Sequence, residues 1–107
     1  LLLRLKNENK SIFGYGASAK GNVLLNFCDI ANENLDFIID TTPLKQGKFT
    51  PGTHIPIIPP EKILEKGKND VALLLAWNYA DSILKKEELF RKNGGKFLIP
   101  VPEPHLE

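Results

Sequence analysis

Glycines, a hydroxyl and a lysine crowd together in "GYGASAKG", residues 14–21. Apolar residues precede this stretch and an apolar pattern of helical spacing follows it. A glycine between a strand and a helix permits a tight turn, and the missing side chain lets a ligand approach the backbone. The first N–H groups of the helix have no partner within it and carry the positive end of its dipole, so anions bind there. Gly14, Gly16 and Ala19 match the pattern G-x-G-x-x-G/A, while Ser18 adds a hydroxyl donor and Lys20 a flexible positive charge. Gly14, Tyr15, Gly16, Ala17, Ser18 and Lys20 together form a candidate diphosphate cradle. Asp40 ends the next apolar stretch, about where a dinucleotide fingerprint places the acid that takes ribose hydroxyls. The Walker A pattern fails, because Lys20 is followed by Gly21 and Asn22. The same glycines can also serve close packing with no ligand at all.

Other residue types capable of chemistry are sparse. No His, Cys, Asp and Glu cluster has metal-ligand spacing, and no nucleophile–base pair is visible, so no catalytic residue and no metal site are expected in this chain. His54 precedes the third strand and reads either as a loop anchor or as a ligand contact. Trp77 and Asn78 follow the most apolar strand, where ligands bind in open α/β sheets. Trp77 there either stacks on a base or sugar or packs on the neighbouring helix. The single cysteine, Cys28, excludes an internal disulfide and reads as a small buried hydrophobe.

The elements that must position these residues follow from the apolar pattern. Residues 11–15 read as a strand ended by Gly14 and Gly16. A helix begins with Ser18 as N-cap, its apolar face set by Val23, Phe27 and Ile30 and widened by Leu24, Cys28 and Ala31, and Asn32 and Asn34 break it. "LDFIID", residues 35–40, is a second strand, and residues 41–53, with two prolines and two glycines, read as a long functional loop. "HIPII" gives a third strand, and Pro59 and Pro60 open a short helix closed by Gly67. "DVALLLAW", residues 70–77, is apolar without alternation, as in a central parallel strand covered on both faces. Asn78 caps a helix over residues 79–93, with Glu87–Arg91 and Glu88–Lys92 as i,i+4 pairs and its lysines on a solvated face. Gly94 and Gly95 end it, and "KFLIPVP" is the last strand. The expected fold class is therefore α/β: a single Rossmann-like three-layer domain over residues 11–105, with a mostly parallel sheet of about five strands and helices on both faces.

With 107 residues the chain is long enough for one core. A net charge of +1 argues for neither nucleic acid nor a membrane surface as partner, and no apolar run approaches the roughly 20 residues that span a bilayer. No signal peptide is visible. The absence of methionine and the ending "PHLE" point to a piece of a longer protein: residues 1–10 as the end of an upstream helix or linker, residues 106–107 as a tag scar left out of the fold.

Three stretches, "GYGASAKGNVLLNF", "DFIIDTTPLKQGKFTPGTHIPI" and "LLLAWNYADSI", resemble the C-terminal domain of the sugar C-methyltransferases, and the resemblance covers nearly all of residues 11–102. It implies a cytoplasmic enzyme that transfers a methyl group from S-adenosylmethionine to a carbon of a nucleotide-linked deoxysugar, typically a 4-keto sugar. Zinc and S-adenosylmethionine would be held by upstream domains of the same polypeptide, with no cofactor in this chain. The partner here would be the nucleotide-diphosphate sugar. Residues 14–20 would face its phosphates, Lys45, Gln46, Gly47 and the loop to His54 would line its cleft, and Trp77 and Asn78 would lie nearby. The isolated domain is expected to be inactive. Two alternatives stand beside this reading: a stand-alone module binding NAD or another nucleotide, and a purely structural or assembly domain.

Overall fold

The computed structural model describes residues 10–16, 21, 24–26, 30, 35–42, 45–50, 52–100 and 105–107, the side chain of Asn78 excepted. The cradle residues Ala17, Ser18, Ala19 and Lys20 lie outside the described residues, as do Val23, Phe27, Cys28, Ala31 and Asn32 to Asn34.

The chain is α/β. Its strands are β1 (Ser11–Tyr15), β2 (Ile38–Ile39), β3 (Ile57–Ile58), β4 (Asp70–Leu74), β5 (Lys96–Ile99) and β6 (His105–Leu106). They form one sheet in the order β3-β2-β1-β4-β5-β6. The first five run parallel, and β6 closes one edge antiparallel to β5, with Leu98 opposite Leu106. The sequence expectation of about five strands left residues 106–107 out of the fold; Leu106 pairs within it.

The central strands lack alternation because both faces of the sheet are covered. One face carries Ile12, Ile38, Val71, Leu73 and Leu98, packed with Leu25, Ile30, Leu35 and Ile55. The other carries Phe13, Tyr15, Ile39, Leu74, Phe97 and Ile99, packed with Ile63, Leu84 and Phe90. This second cluster is aromatic: Phe90 meets Phe13 and Phe97 edge-on at 5.8 and 5.5 Å between centroids, and Tyr15 meets Phe97 at 5.7 Å. Gly14 lies within β1 opposite Ile38 and Leu73 and not in the turn after it. A Cβ at Gly14 would stand 2.7 Å from Cγ1 of Ile38, so the close fit of β1 to β2 accounts for that glycine.

The connections differ from expectation in two places. Residues 45–57, read as loop running into a short strand, fold back on themselves. Gly47 N–H donates to the Ile57 carbonyl, Ile57 N–H to Lys48 and Thr50 N–H to Ile55, with an antiparallel bridge between Phe49 and Pro56. Residues 77–93 are not one helix but a 3-10 turn Trp77–Tyr79, a helix Ala80–Lys86 and a helix Glu88–Lys92. The break falls at Glu87, whose carboxylate accepts a hydrogen bond from the Tyr15 hydroxyl. Of the two expected pairs, Glu88–Lys92 forms at 3.2 Å, whereas the Glu87 carboxylate turns to Tyr15. The short helix before Gly67 is a 3-10 helix, Pro60–Glu65. Among the described residues no helix is long and apolar enough to cross a membrane.

Candidate functional site

Strand order reverses beside β1: β2 follows it on one side and β4 pairs with it on the other. Connections leaving the carboxyl ends of such strands diverge to opposite sides and leave a crevice. A cleft of about 340 Å³ lies there. Tyr15, Gly16 and Ile39 come to it from the strand ends, Asp40, Thr41, Thr42 and Lys45 from the segment after β2, and Ala76, Tyr79, Ile83 and Lys86 from the segment after β4.

Gly16 takes φ of +87° and donates its N–H to the Ile39 carbonyl at 2.8 Å. A Cβ there would stand 2.8 Å from Cβ of Ala76. Both the left-handed backbone and the approach of Ala76 therefore require glycine. The group that approaches Gly16 in this structure is the chain after β4.

Asp40 is buried at the end of β2. Its Oδ1 accepts the Thr42 N–H at 2.7 Å, an Asx turn that carries the chain out of the sheet. Its N–H donates to the Ile58 carbonyl, and its own carbonyl accepts Nε2 of Gln46 at 2.9 Å. Gln46 thus braces the cleft wall from behind, and Lys45 beside it reaches the cleft. Gly47 continues the fold-back with φ of +82°.

Tyr15 is buried at the end of β1. Burial pushes its phenol well above the usual phenolic range, and the hydrogen bond to Glu87 and the negative charges of Glu87 and Asp40 push it further. The phenol is thereby held in its neutral, hydrogen-bond-donating form.

His54 stands apart from the cleft, exposed, with φ of +56° and its ring 6.2 Å from that of Phe49. Trp77 lies in the 3-10 turn above β4 and is not among the cleft residues; Tyr79, two residues on and 67% exposed, is. Cleft residues not singled out from the sequence are Ile39, Thr41, Thr42, Ala76, Tyr79, Ile83 and Lys86. The last four are spaced three, four and three apart, a single helical face once the 3-10 turn, where i and i+3 eclipse, is taken as its first turn. Lys86, expected on a solvated face, is exposed but borders the cleft. Among the described residues no three His, Cys, Asp or Glu side chains come together in a way that could hold a metal ion.

This arrangement can hold and orient an anionic, partly apolar ligand. Two lysines supply positive charge, Tyr79 and Ile83 an apolar surface, and Asp40 a fixed acceptor.

Residues 1–102 match the family model described as "C-methyltransferase C-terminal domain". The chain is also 46% identical over 99 residues to "C-methyltransferase NovU" of Streptomyces niveus. That match covers 92% of this chain and 23% of the relative, so the chain spans about a quarter of the length of the curated relative it matches.

Proposed function

Because the chain belongs to the C-methyltransferase C-terminal domain family, we propose that it is the nucleotide-sugar-binding domain of a larger, cytoplasmic C-methyltransferase. The whole enzyme transfers a methyl group from S-adenosylmethionine to a carbon of a nucleotide-linked keto-deoxysugar. In this reading the sheet is Rossmann-like and three-layered. Zinc and the methyl donor belong to upstream domains.

The observation that carries the reading is the cleft at the carboxyl ends of β1, β2 and β4, flanked by Lys45 and Lys86. A diphosphate suits two ammonium groups, and a sugar or ribose hydroxyl suits the Asp40 carboxylate. The cleft does not suit the methyl donor, whose sulfonium cation the two lysines would repel. The chemistry this family name implies is deprotonation beside a ketone and attack of the resulting enolate on a methyl group. In this reading the residues of this chain bind and orient, and the Tyr15 phenol, held neutral, donates its hydrogen bond to Glu87. Holding the sugar rigidly is worth several kcal/mol of barrier, of the order of 7 kcal/mol for well-aligned partners.

Calorimetric titration of the full-length enzyme with nucleoside-diphosphate sugars and with NAD tests this. Preferential binding of the sugars is expected, together with methyl transfer by the full-length enzyme and none by the 107-residue chain alone. Tighter binding of NAD would favour a dinucleotide module instead. A second reading, a packing or assembly domain, draws on what Gly14 and Gly16 touch, Ile38 and Ala76; binding of no nucleotide at all would favour it.

A further inference from the structure

The lysines of residues 85–92 look interchangeable in sequence, yet Lys86 alone among them borders the cleft. It is the last residue of the helix Ala80–Lys86. The chain leaves helical geometry at the next position, Glu87, with φ of −98° and ψ of 35°, and resumes in Glu88–Lys92. Two hydrogen bonds fix this break. Glu87 N–H donates to the Ile83 carbonyl at 2.9 Å, closing the helix, and the Tyr15 hydroxyl donates to the Glu87 carboxylate. Tyr15 ends β1 beside Gly16 and borders the same cleft. The phenol therefore ties the end of the helix that carries Lys86 to the base of the cleft. The Lys86 ammonium makes no hydrogen bond or ion pair with any of the described residues and is available to a ligand.

We propose that Lys86 is the cation that meets the ligand's diphosphate, and that the Tyr15–Glu87 hydrogen bond positions it. The inference rests on the nucleotide-sugar reading above and names the residues that read the phosphate charge. Lys86 is the contact; Tyr15 and Glu87 are positioning residues. The assignment makes an unusual demand of Glu87. A carboxylate beside an anion site repels the anion, so by charge alone its removal would tighten binding. As a positioning residue its removal loosens the helix end and weakens binding. The two accounts differ in sign.

The experiment measures binding of uridine diphosphate, thymidine diphosphate and inorganic pyrophosphate to the full-length enzyme at low and high salt. Wild type is compared with Lys86→Ala, Glu87→Ala, Glu87→Gln and Tyr15→Phe. Lys86→Ala should lower affinity for the nucleoside diphosphates about tenfold at low salt, with a smaller loss at high salt because an exposed charge is screened. Glu87→Ala and Tyr15→Phe should each give part of that loss, and neither should add to it when combined with Lys86→Ala. Glu87→Gln, which keeps an acceptor for the phenol but removes the charge, should bind at least as well as wild type. Unchanged affinity in Lys86→Ala would overturn the contact, leaving the nucleotide-sugar reading intact. Tighter binding by Glu87→Ala, or additive losses in the double variants, would overturn the positioning role. If neither nucleoside diphosphate binds the wild type at low salt, the nucleotide-sugar reading falls and this inference with it. Should Glu87→Ala fail to fold, Tyr15→Phe decides the positioning role by the same additivity.

Discussion

At the amino ends of β1 and β4, Asp70 accepts the Gly67 N–H at 2.9 Å and faces Lys66 at 3.9 Å. Ser11 N–H donates to the Asn69 carbonyl there, and the Lys10 ammonium to the Lys68 carbonyl. These polar groups close on one another, partly within the turn at residues 66–70 and partly between that turn and the start of β1. At the carboxyl ends of the same strands, Tyr79 and Lys86 face a cleft, and Asp40 and Lys45 border it. The residue types are alike; the connections differ. At the amino end the turn into β4 and the start of β1 lie close enough for these groups to pair, whereas at the carboxyl end the segments after β2 and β4 flank an open cleft. A parallel sheet thus has a self-satisfied end and a receptive one, which is why ligands collect at the second.

Substitutions that act at one end and not the other would break or sharpen this contrast. The largest effect is expected from Gly16→Val. It forces a β-branched residue into a left-handed backbone and against Ala76, and should destabilise the fold by about 3 kcal/mol or more, read by denaturant unfolding. Next comes Asp70→Ala at the other end. It leaves the Gly67 N–H without its acceptor and should cost about 1 kcal/mol, with nucleotide affinity unchanged. A change in affinity would show that the amino end is not a separate region. Tyr15→Phe should cost a similar amount, about 1 kcal/mol, and also weaken binding, because its partner lies at the receptive end.

The smallest effect is a pH dependence. The Tyr15 phenol is raised in the folded protein relative to the unfolded chain, so the folded state holds that proton more tightly. The contribution is fully present below the ordinary phenolic value of about 10 and is lost as pH rises above it. Stability of wild type should fall more steeply than that of Tyr15→Phe in alkaline solution, with no difference in slope between pH 6 and 9.

What the sequence disclosed and what it hid divide along local and distant causes. β1 and β4 were legible because burial on both faces leaves an apolar run, and Asp40 because it ends such a run. The Glu88–Lys92 pair was legible because its partners lie one turn apart. The break at Glu87 was not, since its partner Tyr15 is 72 residues away and no local pattern announces it. Gly14 looked like a turn residue, but Ile38 on the neighbouring strand occupies the space its side chain would need. The fold-back of residues 45–57 was hidden for a similar reason. It is built from backbone bonds across a stretch rich in Gly and Pro, where side-chain periodicity carries no information. Tyr79 was passed over in favour of Trp77 because a 3-10 turn, not a helix capped by Asn78, opens that segment and shifts the face presented to the cleft.

Amide hydrogen exchange on the full-length enzyme, with and without saturating thymidine or uridine diphosphate, tests the contrast most directly. Bound nucleotide should slow exchange in residues 40–47 and 76–87 while leaving residues 66–70 unchanged. Protection confined to residues 66–70, or none in either cleft segment despite measurable binding, would contradict the assignment of the receptive end.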